Sequence, residues 1–321
     1  MRGRGIGGLI ALGVAALVAG TALAGGDGTE WAFPGAGPAA PSAKTGAGAH
    51  GLPGSALTFT DAQLVDRFRA VDWWPDRHRP APSIVNQGRG PHAMACGFCH
   101  LPSGEGRPEN ASLAGLPADY IARQVADMRS GARGVAHPGW GPAVFMQEVA
   151  GAVSPAEAAS AGAYFAKARF VSHVRVVERA RIPAVTPQGF VYRRLPGSAR
   201  VALGQRIVEG PDDFARFELR DSTVSYTAYV PPGAIRRGQA LATTGGGGRT
   251  QPCGVCHGSR LEGAVGPPLA GRSPSYLFRQ LNAFKTGTRS GADAAPMKLV
   301  AARLTTGDMI DLAAFVAASK P

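Results

Sequence analysis

The four cysteines of the chain fall in two matching patterns, Cys96-Gly97-Phe98-Cys99-His100 and Cys253-Gly254-Val255-Cys256-His257. Each reads C-x-x-C-H, the spacing of covalent haem attachment. The chemistry needs that spacing. Two thiols on one turn add to the two vinyl groups on one edge of a porphyrin, and the next residue presents an imidazole to the iron. Four cysteines in an exported chain would ordinarily suggest two disulfides. A C-x-x-C redox pair, however, needs no following histidine. A zinc site built from both pairs would be closed and structural, and it too leaves His100 and His257 unexplained. Two such patterns that use every cysteine point to two haem c groups, one in each half, held by Cys96, Cys99, Cys253 and Cys256 with His100 and His257 as axial ligands.

A haem with one histidine has a second axial position to fill or leave open. An internal repeat selects among the six methionines. Leu113 to Arg133 reads LAGLPADYIARQVADMRSGAR and Leu269 to Arg289 reads LAGRSPSYLFRQLNAFKTGTR. Aligned without a gap, the two share Leu, Ala, Gly, Tyr, Arg, Gln, Gly and Arg. Each has Pro at its first turn (Pro117, Pro274) and Gly just past its end (Gly131, Gly287), as a helix should. Farther on, Met146 precedes Ser154-Pro155-Ala156-Glu157, and Met297 precedes Thr305-Thr306-Gly307-Asp308 at the same interval. Both tetrads resemble capping boxes that open a last helix. Met146 and Met297 therefore occupy equivalent places, expected on a loop entering that helix, and become the sixth ligands. Met128 aligns with Phe284, which cannot bind iron, so it reads as packing, and Met309 aligns with Ala158. His137 is the competing ligand in the first half, with a surface or propionate-bonding role as its alternative.

Each half resembles a class I cytochrome c domain, and the tandem is similar to the di-haem cytochrome c4 group. The residues that carry the resemblance are Cys96, Cys99, His100 and Met146, then Cys253, Cys256, His257 and Met297, with the helix ending Gly131-x-Arg133 and Gly287-x-Arg289. In that family a proline after the motif offers its carbonyl to the ligand histidine. Gly266-Pro267-Pro268-Leu269 matches, which implies Pro267, whereas Arg107-Pro108-Glu109-Asn110 departs from the pattern and leaves the first-half equivalent open. The shared Tyr120, Tyr276, Arg133 and Arg289 join Pro267 as candidate haem-pocket residues. The implied fold is mainly α, two tandem cytochrome c-like haem domains (58–168 and 235–321) joined by an irregular segment with some β character (169–234). Val174-Arg175-Val176-Val177 and Phe190-Val191-Tyr192 supply that character. The segment is read as an ordered spacer between the halves or as a docking surface. Trp73 and Trp74 read as packing.

Residues 1–24 read as a signal peptide, with Arg2 and Arg4 before an apolar stretch and Ala22-Leu23-Ala24 at the cleavage site. An uncleaved membrane anchor is the alternative. Residues 25–57, rich in Gly, Ala and Pro, read as a flexible linker. The address is then periplasmic, either free or tethered to the membrane through the N-terminus. The formal charge is +12, about +10 without the leader, which suits an acidic redox protein partner. The Lys and Arg residues are scattered with no long basic run, which argues against nucleic acid. The expected function is electron transfer without catalysis at iron, because His/Met ligation closes both axial positions. The alternatives are a di-haem redox enzyme, peroxidase-like or thiosulfate-oxidising, and a cytochrome subunit of a membrane dehydrogenase or oxidase complex. The intact mass of the exported protein, matured with a haem-attachment system, is expected to exceed its polypeptide by two haems. One haem or none would remove the basis of this reading.

Overall fold

Small and straight-chain residues set between clear start and stop signals make helices the main element of both halves. The computed structural model describes residues 28–35 and 48–321, so the expected leader at 1–24 lies outside the described residues. In the first half the motif forms α1 (Cys96–His100), followed by α2 (Ala118–Ser130), α3 (Gly141–Ala152) and α4 (Pro155–Ala166). The middle segment carries β1 (Val174–Glu178), β2 (Arg181–Pro183), β3 (Val185–Gln188), β4 (Val191–Arg194), β5 (Arg200–Ala202), β6 (Val208–Pro211), α5 (Phe214–Glu218) and β7 (Tyr226–Val230). The second half contains α6 (Ala234–Thr244), α7 (Gly254–His257), α8 (Pro274–Lys285), α9 (Ala295–Ala302) and α10 (Thr306–Ala318).

Both expected capping boxes form. The Ser154 hydroxyl accepts from the Glu157 N–H while the Glu157 carboxylate accepts from the Ser154 N–H, and Thr305 and Asp308 do the same for α10. Gly131 ends α2 at φ +80°, a left-handed position that costs glycine nothing. One expectation fails. Met146 and Met297 do not stand on loops: they lie inside α3 and α9. Pro142 and Pro296 sit in the first turn of those helices, where a fixed φ favours initiation, and the apolar residues that follow continue the helical run.

Each half has its own core. In the first, Ile121 of α2 meets Ala161, Tyr164 and Phe165 of α4, with Val85, Met94 and Val149 around them. In the second, α10 is buried almost all round between α6 and α8, through Met309, Ile310, Leu312 and Ala313. At the α6–α10 crossing the backbones touch. A Cβ on Gly238 would lie 1.9 Å from the Asp311 carbonyl oxygen, so glycine is required there by contact rather than by φ.

The middle segment is folded and belongs to both halves. β1 pairs in parallel with β7, and β6 pairs antiparallel with β7. Buried Glu209 of β6 accepts from the Ser275 N–H (3.0 Å) and the Ser273 hydroxyl (2.8 Å), so its carboxylate caps the amino end of α8. Buried Arg272 crosses from the second half to the first, donating to the carbonyls of Ser112 and Ala114. Trp73 and Trp74 do pack, and they pack against this segment: their indole N–H groups donate to the Leu219 carbonyl and to Asp221.

Residues 25–57, read as a flexible linker, are instead held where they are described. Trp31 meets Phe278 at 4.4 Å between ring centroids, Phe33 packs edge-on against Trp140, and Leu52 is buried with Leu64, Val71 and Trp73. Two aromatic side chains outweigh the Gly- and Ala-rich composition around them. Gly238→Ala is expected to force α6 and α10 apart and to lower unfolding free energy by roughly 1–3 kcal/mol, the usual cost of overpacking, as read by chemical denaturation.

Candidate haem sites

The motif histidines are held alike in both halves. His100 is buried on α1, and its Nδ1–H donates to the Ala111 carbonyl at 2.7 Å. His257 is buried on α7 and donates through Nδ1 to the Pro267 carbonyl at 2.8 Å. Donation from Nδ1 fixes the tautomer and leaves the Nε2 lone pair free for a metal. Burial also pushes both imidazoles below their ordinary pKa, keeping them neutral as a ligand must be. Pro267 is thus in the position the family resemblance implies. Ala111 is its first-half counterpart, which the departure at Arg107-Pro108 had hidden. The gapless register that aligns Leu113 with Leu269 also aligns Ala111 with Pro267, so the signal was present. Gly266 makes the second approach possible, since a Cβ there would lie 2.6 Å from the His257 ring.

The thiols fit haem attachment better than the rival chemistries. Burial pushes the Cys96 and Cys253 thiols up, to about 12 and about 11, and each faces its own apolar core. The two pairs also lie in different cores, Cys96 against the first and Cys253 against the second. Among the described residues no cluster of three His, Cys, Asp or Glu side chains could hold a metal ion.

In the first half a cavity brings the candidate residues together. Cys96, Cys99, His100 and Met146 line it, as do Tyr120 and Arg133, within a wall that is otherwise mostly apolar. Met128, read as packing, contributes to that wall. Part of the wall comes from the other half of the chain, namely Tyr276, Arg279, Gln280 and Ala283 on α8. His137 stacks on Phe33 at 4.9 Å between ring centroids. In the second half Met297 packs against Phe284, Ala294 and Ala301.

At the seam between the halves the repeat becomes a reciprocal network. Arg133 donates to Gln124 (2.9 Å), Gln280 (2.8 Å) and Tyr276 (3.1 Å). Arg289, its repeat mate, donates to Gln280 (3.0 Å), Gln124 (2.7 Å) and Tyr120 (2.8 Å). Exchange of the two halves therefore maps every bond onto another. The backbones pair as well: Arg133 opposes Arg289, Gly134 N–H donates to Thr288, and Ser290 N–H donates to Ala132. Gln124 and Gln280 were missed by sequence reasoning, although both are identities of the repeat.

Neither guanidinium has an ion-pair partner among the described residues; neutral oxygens hold both. Burial, reinforced by the adjacent Arg133, holds Arg289 below its ordinary pKa. Burial alone would raise Tyr276, but Arg133 and Arg289 outweigh it and bring the phenol below its usual value. Two guanidiniums bonded only to neutral oxygens, one of them lining the first cavity, make a cradle for anionic groups, although Asp127 stands close enough to act on Arg133. Haem propionates fit such a cradle, and the thiol pair and imidazole beside it fit the rest of the cofactor.

Comparison with known proteins agrees. The sequence model of the cytochrome c family matches residues 235–320. A thiosulfate dehydrogenase electron acceptor of Stutzerimonas stutzeri (strain A1501) is 30% identical over 207 residues, covering 63% of this chain and 68% of that protein. Cytochrome c4 of Azotobacter vinelandii is 24% identical, covering 74% of this chain and 90% of its own. Among solved structures, a thiosulfate dehydrogenase from Marichromatium purpuratum superposes with a TM-score of 0.44 at 30% identity over 71% of this chain, which spans only 37% of that one. The chain belongs to the cytochrome c family, in the group that holds cytochrome c4 and the thiosulfate dehydrogenase electron acceptors.

Arg133→Met and Arg289→Met should each cost about 2 kcal/mol of unfolding free energy, because each strands buried acceptors. The double variant is expected to cost more than the sum of the two. Either single change leaves Gln124 and Gln280 one donor and relieves the like-charge repulsion, and neither benefit is available twice. Denaturation of the three holoproteins checks this.

Proposed function

We propose that this chain is a periplasmic electron carrier with two covalent haems, each ligated by His and Met, that takes electrons from a thiosulfate-oxidising dehydrogenase. One observation carries the reading. The hold on the motif histidine is built twice, down to the carbonyl that fixes each imidazole, and a methionine stands at the equivalent helix of each half. The thioethers are Met146 and Met297, the imidazoles His100 and His257, and the covalent anchors Cys96, Cys99, Cys253 and Cys256.

The cofactor supplies one-electron ferric–ferrous chemistry. The chain's own residues set the conditions for it. The carbonyls of Ala111 and Pro267 orient the imidazoles and raise their basicity as ligands. Met146 and Met297 would supply the second ligand of each haem and so raise its potential and disfavour chemistry on a substrate. The apolar wall would keep water out, and the Arg133 and Arg289 guanidiniums would hold the anionic edges. Because α8 of the second half forms part of the first cavity's wall, the two sites share a boundary across which an electron can pass within the molecule.

The name of the Stutzerimonas relative, 30% identical, supports this donor. The reading of residues 1–24 as a signal peptide supports a periplasmic address. Among the described residues no helix is long and apolar enough to cross a membrane. Met297→His is expected to leave the fold intact and lower the potential of one haem by on the order of 0.1 V or more, since imidazole stabilises ferrous iron less well than a thioether. A redox titration in which neither haem moves would show that Met297 is not a ligand. Mixing the oxidised protein with a thiosulfate dehydrogenase and thiosulfate in a stopped-flow spectrometer should reduce both haems, and failure to do so would remove the proposed donor.

A further inference from the structure

The two sites are built alike but are not covered alike. Phe98 and Val255 each stand directly before the second cysteine of their motif. Phe98 is 8% exposed and Val255 is 73% exposed. Glu109 and Val265 each stand two residues before the carbonyl that holds the ligand imidazole. Glu109 is 6% exposed and Val265 is 94% exposed. At both positions the first half is closed and the second is open.

The cover on the first half comes from the middle segment. The Arg220 guanidinium lies 3.5 Å from the centre of the Phe98 ring and donates to the carbonyls of Phe98 and Leu64, at 2.7 and 2.8 Å. Arg107 stacks on Phe217 of α5 at 3.6 Å and pairs with Glu109 at 3.1 Å. Arg220 reaches this place from a left-handed backbone, φ +59°, which a non-glycine residue holds only where its surroundings enforce it. The enforcement is visible on either side: Trp73 binds the Leu219 carbonyl, and Asp221 takes hydrogen bonds from Trp74 and Arg216.

The second half has no such cover among the described residues. Among the described residues, Val265, Leu299 (77%) and Val255 are the three most exposed large apolar side chains. All three flank its ligands. Val255 lies within the motif, the Val265 loop is tied to it by the Gly266 N–H donating to Cys256, and Leu299 stands two residues past Met297. Exposed apolar groups gathered round one site mark a contact surface rather than the usual scatter. Lys298, Arg303 and Arg260 are exposed in the same segments, with Glu262 and Asp293 exposed among them, which leaves the surroundings with a small net positive charge.

We propose that the middle segment shields the first haem from other proteins, so that electrons are exchanged through the face that carries Val255 and Val265. This rests on the two-haem carrier reading above. The occupant of the face is the thiosulfate-oxidising dehydrogenase, meeting it with apolar side chains inside an acidic rim; complementary charge favours the encounter and apolar contact holds it. Electron transfer between proteins falls steeply with distance, so a layer the thickness of Arg220 and Phe217 is enough to select the other site.

Two measurements on the holoprotein test this. An uncharged gadolinium chelate should broaden the haem methyl resonances of the ferric protein unequally, with one set relaxed at least threefold more than the other. The strongly relaxed set should be the one that Met297→His shifts. Arg220→Ala should bring the weak set up towards the strong one. Equal relaxation of both sets in the unmodified protein, or strong relaxation of the set that Met297→His leaves in place, overturns the shielding. In the second measurement, Val265→Glu should slow reduction by a thiosulfate dehydrogenase at least tenfold more than it slows reduction by hydroquinone. An equal effect on both reductants overturns the docking face. If the unmodified protein takes no electrons from the dehydrogenase, the donor and the partner named here both fall, while the relaxation result still decides the shielding. If Met297→His shifts neither set, the ligand assignment fails instead.

Discussion

Arg133 and Arg289 face each other across the seam of the molecule, hydrogen-bonded only to neutral oxygens among the described residues, and the relative placement of the two halves depends on that arrangement. Two desolvated guanidiniums side by side are unfavourable unless their protons are fully used. Here Gln124 and Gln280 each accept from both arginines, and each tyrosine hydroxyl accepts from the arginine of the opposite half. Every acceptor is neutral, so the cluster keeps a positive potential that anionic groups of a haem can satisfy. Since α8 supplies part of the first cavity's wall, the first half cannot complete that wall alone. The halves are therefore locked in one relative pose, with α8 against the first cavity.

That lock is assisted by three further buried charges. Glu209 fixes the amino end of α8, Arg272 ties the approach to α8 onto the carbonyls of Ser112 and Ala114, and Arg279 on α8 donates to Pro108 and Ala32. Glu209 meets a helix start whose N–H groups need partners, which makes its position specific as well as stabilising. A change in the middle segment or at Ala32 would thus reach the site through α8, without touching a cysteine or a histidine.

The local chemistry of the sequence carried much of this. C-x-x-C-H states its own geometry, and capping boxes and glycine stops are short-range rules that Ser154, Thr305 and Gly131 obey. The repeat also held more than was taken from it, since Ala111, Gln124 and Gln280 all lie on its register. What could not be read was set by long-range contact. Nothing near Arg220 shows that its guanidinium ends on Phe98, because that depends on a strained turn held by Trp73 and Trp74, far away in sequence. The helices around Met146 and Met297 were hidden by proline, which reads as a break but here begins a turn. Trp31 and Phe33 were masked by the glycines and alanines around them, and only the presence of Phe278 and Trp140 makes their burial favourable.

The parallel pairing of β1 with β7 has a consequence for how such a chain could arise. Val174, just after the first half ends, lies beside Tyr226, just before the second begins, and the register runs on to Glu178 and Val230. The intervening chain leaves and returns at neighbouring points, so its two ends impose almost no displacement on what they join. The outer part of such an excursion can lengthen or shorten at little cost, because closing a longer loop adds little entropy penalty. The duplicated pair supplies symmetry, and the segment between its halves breaks it. Direction of flow in the molecule then becomes a property that evolution can add to a finished scaffold.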